Sequence, residues 1–226
     1  MKQLVRVFFF GDSICFGQGV SIHKGWVPRI SAKLEELSIE SGFNVLLTNA
    51  SLNGNTTRLA LERMPYDIQS QHPDILVVQF GMNDCNYWES DRGLPRVSLN
   101  AFEANLKEII DRASRFGVSE VLLNTNHPTA KSTLPMVCSE VTYEQSNALY
   151  SEAVRRVAAG SAQNVVFNDV REFFLQNIGK NGIALEELLL PAPDLLHLSE
   201  RGHDLYYSLM APRVEAAIRR VIARKM

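Results

Sequence analysis

Five short apolar runs, alternating with longer amphipathic stretches, constrain this chain more than anything else in it. The runs are residues 4–10 (LVRVFFF), 45–49 (VLLTN), 75–80 (ILVVQF), 118–124 (VSEVLLN) and 165–168 (VVFN). Their apolar residues are nearly continuous and do not alternate strictly with polar ones, which marks strands covered on both faces, as in a parallel sheet. Residues 26–40 carry Ile30, Leu34 and Leu37 at helical spacing, and residues 100–116 carry Phe102, Leu106, Ile109, Ile110 and Ala113. Residues 143–159 form a third such stretch and 199–223 the last, with Ser199 as its N-cap. Alternation of this kind predicts a doubly wound α/β sandwich.

One domain over residues 1–226 is the expected organisation, because no internal repeat, low-complexity tract or long Pro/Gly linker divides the chain. A chain of this length buries roughly 70% of its unfolded surface and needs no disulfide or metal staple. Its three cysteines, Cys15, Cys85 and Cys138, are odd in number and lack metal-ligand spacing, so neither a disulfide framework nor a zinc site is expected. A formal net charge of −2 gives no electrostatic reason for nucleic acid or an anionic membrane as partner. The basic cluster Arg219, Arg220, Arg224 and Lys225 reads as the solvated last turns of a helix. The apolar run at residues 7–10 is too short for a membrane span or a signal h-region, which makes a cytoplasmic protein the expectation. Nothing in the sequence speaks to oligomeric state.

An open parallel sheet binds ligands outside the carboxyl ends of its strands, so the residues after each strand carry the functional reading. Gly11-Asp12-Ser13 follows the first strand, Asn53-Gly54-Asn55-Thr56-Thr57 the second and Gly81-Met82-Asn83-Asp84 the third; Asp194-Leu195-Leu196-His197 precedes the last helix. Together they make the parts of an acyl-transfer site. A serine hydroxyl needs a base to remove its proton, histidine titrates near neutrality, and a carboxylate fixes the imidazole tautomer. Asp194 and His197 are three residues apart, close enough to share one side of a turn. Oxyanion donors are available in the Ser13 N–H, the Gly54 N–H and the Asn83 amide.

These four blocks resemble, in order, those of the SGNH/GDSL hydrolases: Gly11-Asp12-Ser13-Ile14, then Asn53-Gly54-Asn55-Thr56-Thr57, then Gly81-Met82-Asn83-Asp84 (GxND), then Asp194-Leu195-Leu196-His197 (DxxH). The resemblance spans nearly the whole chain. It implies a three-layer α/β/α sandwich, flavodoxin-like, on a mainly parallel five-stranded sheet of order near 2-1-3-4-5. It also implies a hydrolase of esters or thioesters that uses no metal or cofactor, with Ser13, Asp194 and His197 catalytic and Ser13, Gly54 and Asn83 in the oxyanion hole. Two positions depart from the family pattern: Leu195 stands where a glycine often follows the DxxH aspartate, and Ile14-Cys15 follows the GDS block. An acyltransferase on the same scaffold and a non-catalytic binding module are the alternatives. The expected partner is a small-molecule acyl ester, with short acyl groups preferred because no long apolar channel is announced.

The remaining candidates have blander readings. His72 sits at the start of a strand, the wrong end of the sheet, and His203 lies inside the last helix as a surface or packing residue. His127 and His23 are candidates for pocket contact. Asp12 braces its loop, Asp84 holds the Asn83 turn, and Cys15 is a packing thiol. Trp26, after Gly25, is a buried aromatic that opens the first helix. Loops 87–98 and 131–138 are candidate pocket walls.

Overall fold

The computed structural model describes residues 3–161 and 163–226. Its strands β1 (Leu4–Gly11), β2 (Asn44–Asn49), β3 (Ile75–Gln79), β4 (Glu120–Asn124) and β5 (Val165–Asn168) form one sheet of order β2-β1-β3-β4-β5. All four pairings are parallel. This is the architecture that the apolar runs and the four blocks predict. Parallel neighbours need a crossover between them, so every β→α turn opens at the same edge of the sheet.

Among the described residues seven α-helices accompany the sheet: α1 (Ser13–Phe16), α2 (Trp26–Ser41), α3 (Thr57–Asp67), α4 (Leu99–Arg115), α5 (Tyr143–Ala159), α6 (Val170–Asn177) and α7 (Glu200–Lys225). α2 and α6 both pack against α7, while α3, α4 and α5 pack in series. The two helical layers explain Phe8-Phe9-Phe10, whose side chains alternate between faces. Phe9 meets Trp26 of α2 edge-on at 5.3 Å, and Trp26 stacks on Tyr206 of α7 at 4.4 Å. Phe10 meets Phe80 at 5.3 Å on the opposite face. Trp26 is thus a buried core residue, as its position predicts.

Sequence periodicity did not reveal α1, α3 or α6. α1 has four residues. α3 contains Pro65 and buries Thr57, Ala60 and Met64, too small a stripe to register. α6 has eight residues and buries Val170 and Phe174. β4 begins at Glu120, two residues later than expected, because the Val118 N–H bonds the Ala113 carbonyl and closes α4.

The C-terminal basic cluster forms the exposed last turns of α7, as expected, and also makes specific ion pairs. Arg219 does pair on the surface with Glu215 and Glu40. Arg220, however, clamps the buried Glu120 at the start of β4 through Nε (2.8 Å) and Nη2 (2.7 Å), and Arg224 reaches the same carboxylate at 3.3 Å. Lys225 bonds the Leu4 carbonyl and Asp74. These cations tie the end of α7 to the amino ends of β1 and β4, because a carboxylate without water must be paired. Replacing Arg220 by alanine leaves Glu120 with Arg224 alone. The variant is expected to lose about 1–3 kcal/mol of unfolding free energy, discounted from a fully buried pair for the half-exposed guanidinium. Urea denaturation measures it, and Glu120→Gln in the same background is expected to recover part of the loss.

Candidate active site

β1 turns into α1 where a side chain would not fit. A Cβ on Gly11 would lie 2.7 Å from the Gln79 carbonyl oxygen of β3 and 2.8 Å from Cys15 Sγ. Asp12 caps the turn, its Oδ1 accepting from the Ile14 N–H at 3.0 Å. The Trp26 indole donates to the Ile14 carbonyl at 2.9 Å and fixes α1 from the α2 side. Ser13, the first residue of α1, is thereby held at the carboxyl end of β1.

The Asp194–His197 segment meets it from the other end of the chain. His197 Nε2 lies 2.9 Å from Ser13 Oγ, and its Nδ1 lies 2.8 Å from Asp194 Oδ2. Asp194 Oδ1 accepts the backbone N–H groups of Leu196 (3.0 Å) and His197 (2.7 Å). One carboxylate therefore folds its own turn and orients the imidazole. A carboxylate facing Nδ1 keeps the proton there and leaves Nε2 as an acceptor for the serine hydroxyl. Burial pushes the Asp194 carboxyl up, but the His197 N–H, the imidazole and the Leu196 N–H outweigh it and hold it below the usual range.

The other two blocks lie at the same sheet edge. Gly54 adopts φ +74°, a left-handed conformation that glycine takes without strain. The Asn83 Nδ2 is buried and meets no hydrogen-bond partner among the described residues. A buried donor of that kind costs about 1–3 kcal/mol unless something accepts from it, and an oxyanion is such an acceptor. Asp84 binds these turns together, accepting from the Thr57 N–H (2.9 Å) and hydroxyl (2.5 Å) at the start of α3. Its expected role, holding the Asn83 turn, is therefore extended to the second block as well.

His127 carries a job that the sequence hid. It is fully buried, and its Nε2 donates to the Leu196 carbonyl at 2.9 Å, pinning the turn that bears His197. The Ala130 N–H bonds the Leu195 carbonyl at 3.1 Å, and Asn147 anchors the His127 carbonyl at 2.9 Å. Burial drives the His127 pKa down to about 3, so it acts as a neutral hydrogen-bond donor. His203 is buried against the Trp26 backbone, the packing role expected of it. His23 and His72 are exposed. Cys15 is buried, and burial raises its thiol well above the ordinary range. No group of three or more His, Cys, Asp or Glu side chains that could hold a metal ion occurs among the described residues.

A cavity of about 350 Å3 opens beside the Asp194–His197 turn, lined by Tyr87, Leu134, Met136, Tyr143, Pro193 and Leu195 among others. Loop 131–138 supplies much of one wall, and Tyr87 brings in the start of loop 87–98. Leu195 stands at φ +55° there.

With this geometry in place, comparison with known proteins is decisive on ancestry. Residues 9–205 match the GDSL-like lipase/acylhydrolase family. The chain belongs to that family. Among individual GDSL relatives, the arylesterase of Vibrio mimicus is 27% identical over 123 residues, covering 54% of this chain and 56% of that protein. Esterase TesA of Pseudomonas aeruginosa is 28% identical over 118 residues, 52% and 53% of the two chains. The uncharacterized lipoprotein YqeF of Bacillus subtilis is 29% identical, covering 50% and 48%. The chain thus spans about half the length of these relatives. Two solved structures share the fold over almost the whole chain. The lipase/acylhydrolase from Enterococcus faecalis has a TM-score of 0.72 and 22% identity, with 94% and 96% coverage. Axe2, an acetylxylan esterase from Geobacillus stearothermophilus, has a TM-score of 0.70 and 21% identity, with 93% and 94% coverage. At that identity the likeness establishes the GDSL fold alone.

Two buried acids underlie the site. Burial, which outweighs the Ile14 N–H, together with the neighbouring Asp84 charge pushes Asp12 up to about 7; burial also pushes Asp84 up to about 6. A carboxyl whose folded pKa lies above its unfolded value holds extra protons in the native state, so its contribution to stability is fullest below about pH 4 and is lost as pH rises through about 7. Asp12→Asn keeps the oxygen that caps Ile14 and removes this titration. Urea midpoints at pH 5 and pH 8 are expected to show wild type losing on the order of a few kcal/mol more than the variant on that rise.

Proposed function

We propose that this chain is a serine esterase that hydrolyses carboxylic or thio esters of small acyl groups, with residues 1–226 acting as one SGNH/GDSL hydrolase domain. The observation that carries the reading is the unbroken hydrogen-bond chain Asp194–His197–Ser13, with links of 2.8 Å and 2.9 Å. His197 Nε2 takes the Ser13 proton as Oγ attacks the acyl carbonyl carbon. The carbonyl electrons move to oxygen, and the tetrahedral oxyanion is met by the N–H groups of Ser13 and Gly54 and by the Asn83 Nδ2. Protonated His197, its charge stabilised by Asp194, delivers its proton to the leaving alcohol or thiol. Water, deprotonated in turn by His197, then releases the acid and restores Ser13. This chemistry requires no metal and no cofactor.

The family relatives are in keeping with this reading, since two carry the name of an esterase. The cavity beside Leu195, lined by Leu134, Met136, Pro193 and Tyr143, offers apolar room for an acyl or small aryl group next to the turn that bears His197. Among the described residues no helix is long and apolar enough to cross a membrane. A cytoplasmic setting fits the exposed free thiol of Cys138, which persists best where thiols stay reduced.

A fluorophosphonate probe read by intact mass is expected to give one adduct, on Ser13, that is absent in Ser13→Ala. Turnover of p-nitrophenyl acetate is expected to fall by about 10³-fold or more in Ser13→Ala and in His197→Ala. Asn83→Ala is expected to lose about 10²- to 10³-fold in kcat. Labelling at another residue, or undiminished turnover in Ser13→Ala, contradicts the proposal.

A further inference from the structure

We infer that Arg96 is a positioning residue that holds Gly54 and Asn83 together as a working oxyanion hole. The inference rests on the serine-esterase reading above. Arg96 lies in the loop after β3 and belongs to none of the four blocks. Its Nη1 reaches the Gly54 carbonyl oxygen at 3.3 Å and the Asn83 Oδ1 at 3.5 Å. One cationic nitrogen thus touches two turns that come from different strands.

Three physical consequences follow. An asparagine amide can present either its oxygen or its nitrogen to a site, and what holds the other end decides which. A guanidinium only donates, so it takes Oδ1 and leaves Nδ2 as the end free to meet an oxyanion. Nδ2 is the buried, unpartnered donor described above. Second, the Asp84–Thr57 bonds join the two turns at the foot of α3 but do not reach the Gly54 carbonyl. Arg96 closes the link at that carbonyl. Third, a positive charge on Oδ1 polarises the amide and strengthens Nδ2–H as a donor.

Arg96 is itself built into place. Its backbone N–H donates to the Asn86 carbonyl at 2.9 Å, and the Val97 N–H donates to the Asp84 carbonyl at 3.2 Å. Both acceptors belong to the turn that carries Asn83. Its guanidinium carbon lies 3.8 Å from the centroid of the half-exposed Trp88 ring, which supports the plane of the group. A lysine would bring a single point charge in place of that flat, stacked fork.

The test compares wild type, Ser13→Ala, Arg96→Met, Arg96→Lys, Asn83→Ala and the Asn83→Ala/Arg96→Met double variant. p-Nitrophenyl acetate turnover and the rate of fluorophosphonate labelling are read on each, with thermal unfolding as the folding control. Arg96→Met keeps an apolar stem over Trp88. It is expected to lower kcat and the labelling rate about 10- to 100-fold while KM stays within about 3-fold, because the lost contact acts on a group engaged only in the transition state. Arg96→Lys is expected to recover part of that loss. In the Asn83→Ala background, Arg96→Met is expected to cost no more than about 3-fold further, since the group it orients is gone. An unchanged kcat in a folded Arg96→Met, a loss confined to KM, or full additivity with Asn83→Ala overturns the role of Arg96 and leaves the esterase reading standing. Labelling and turnover that persist in Ser13→Ala, or that are lacking in wild type, overturn both.

Discussion

The inner strands of this sheet, β1, β3 and β4, are buried on both faces, which leaves their polar side chains mainly the strand ends to stand at, while the edge strand β2 stays largely exposed. This chain uses strand ends five times. β1 passes into Gly11-Asp12, while β2, β3, β4 and β5 end at Asn49, Gln79, Asn124 and Asn168. These groups satisfy one another across the sheet. Asn168 donates to Asn124 at 2.8 Å, Asn124 to the Tyr206 hydroxyl at 3.2 Å, and Asn49 to the Cys15 carbonyl at 3.0 Å; the Gln79 and Asn126 amides pair at 2.8 Å. The polar seam is the floor on which the turns bearing Ser13, Gly54 and Asn83 rest. Because a buried amide must find its partners, its hydrogen bonds set the height of one turn against the next, and β1 lies between β2 and β3.

Burial also weakens the charges in this floor. It disfavours the charged forms of Asp12 and Asp84, which it raises to about 7 and about 6, and of His127 and His203, which it lowers to about 3 and 4. This matters for the chemistry above. Asp12 adjoins Ser13, the proposed nucleophile, and an ionised carboxylate there would oppose negative charge developing on a bound carbonyl oxygen. Keeping Asp12 partly protonated near neutrality reduces that opposition. Asp194 is oriented toward His197, and Arg96 stands on the Asn83 side. In the proposed reaction each faces the place where proton transfer from Ser13 would create the opposite sign.

The parts of the molecule legible in the sequence were those with local signatures. Residues 4–10 and 75–80 announce buried strands by composition alone, and Ser13, Gly54, Asn83, Asp194 and His197 announce themselves by sitting in turns where small and reactive residues cluster. α3 was silent because Ala60 and Met64 make no readable stripe. Arg96 and His127 were hidden for a different reason. An arginine in a polar loop and a histidine after a strand look ordinary until a partner 42 residues away, in Gly54, or 69 residues away, in Leu196, is brought against them. Arg220 stands at the exposed helix end that its sequence announces, but its partner Glu120, 100 residues distant, is likewise hidden. Sequence displays a group's chemistry and conceals its contacts.

Leu195 shows how a departure from the family pattern is accommodated. A leucine at φ +55° carries strain of about 1–3 kcal/mol that a glycine there would avoid. Several contacts offset it. The Leu195 N–H bonds the Leu190 carbonyl at 3.2 Å, its own carbonyl accepts from Ala130, and the His197 carbonyl accepts from Leu190 at 2.7 Å. The side chain in turn forms part of the apolar wall with Met136 and Pro193. A glycine would relax the backbone and also widen its accessible conformations, loosening the segment that must keep an imidazole 2.9 Å from a hydroxyl. Leucine trades local strain for a stiffer turn and a filled wall, and the reacting groups and the cavity that would receive the acyl group are thereby set by the same residue.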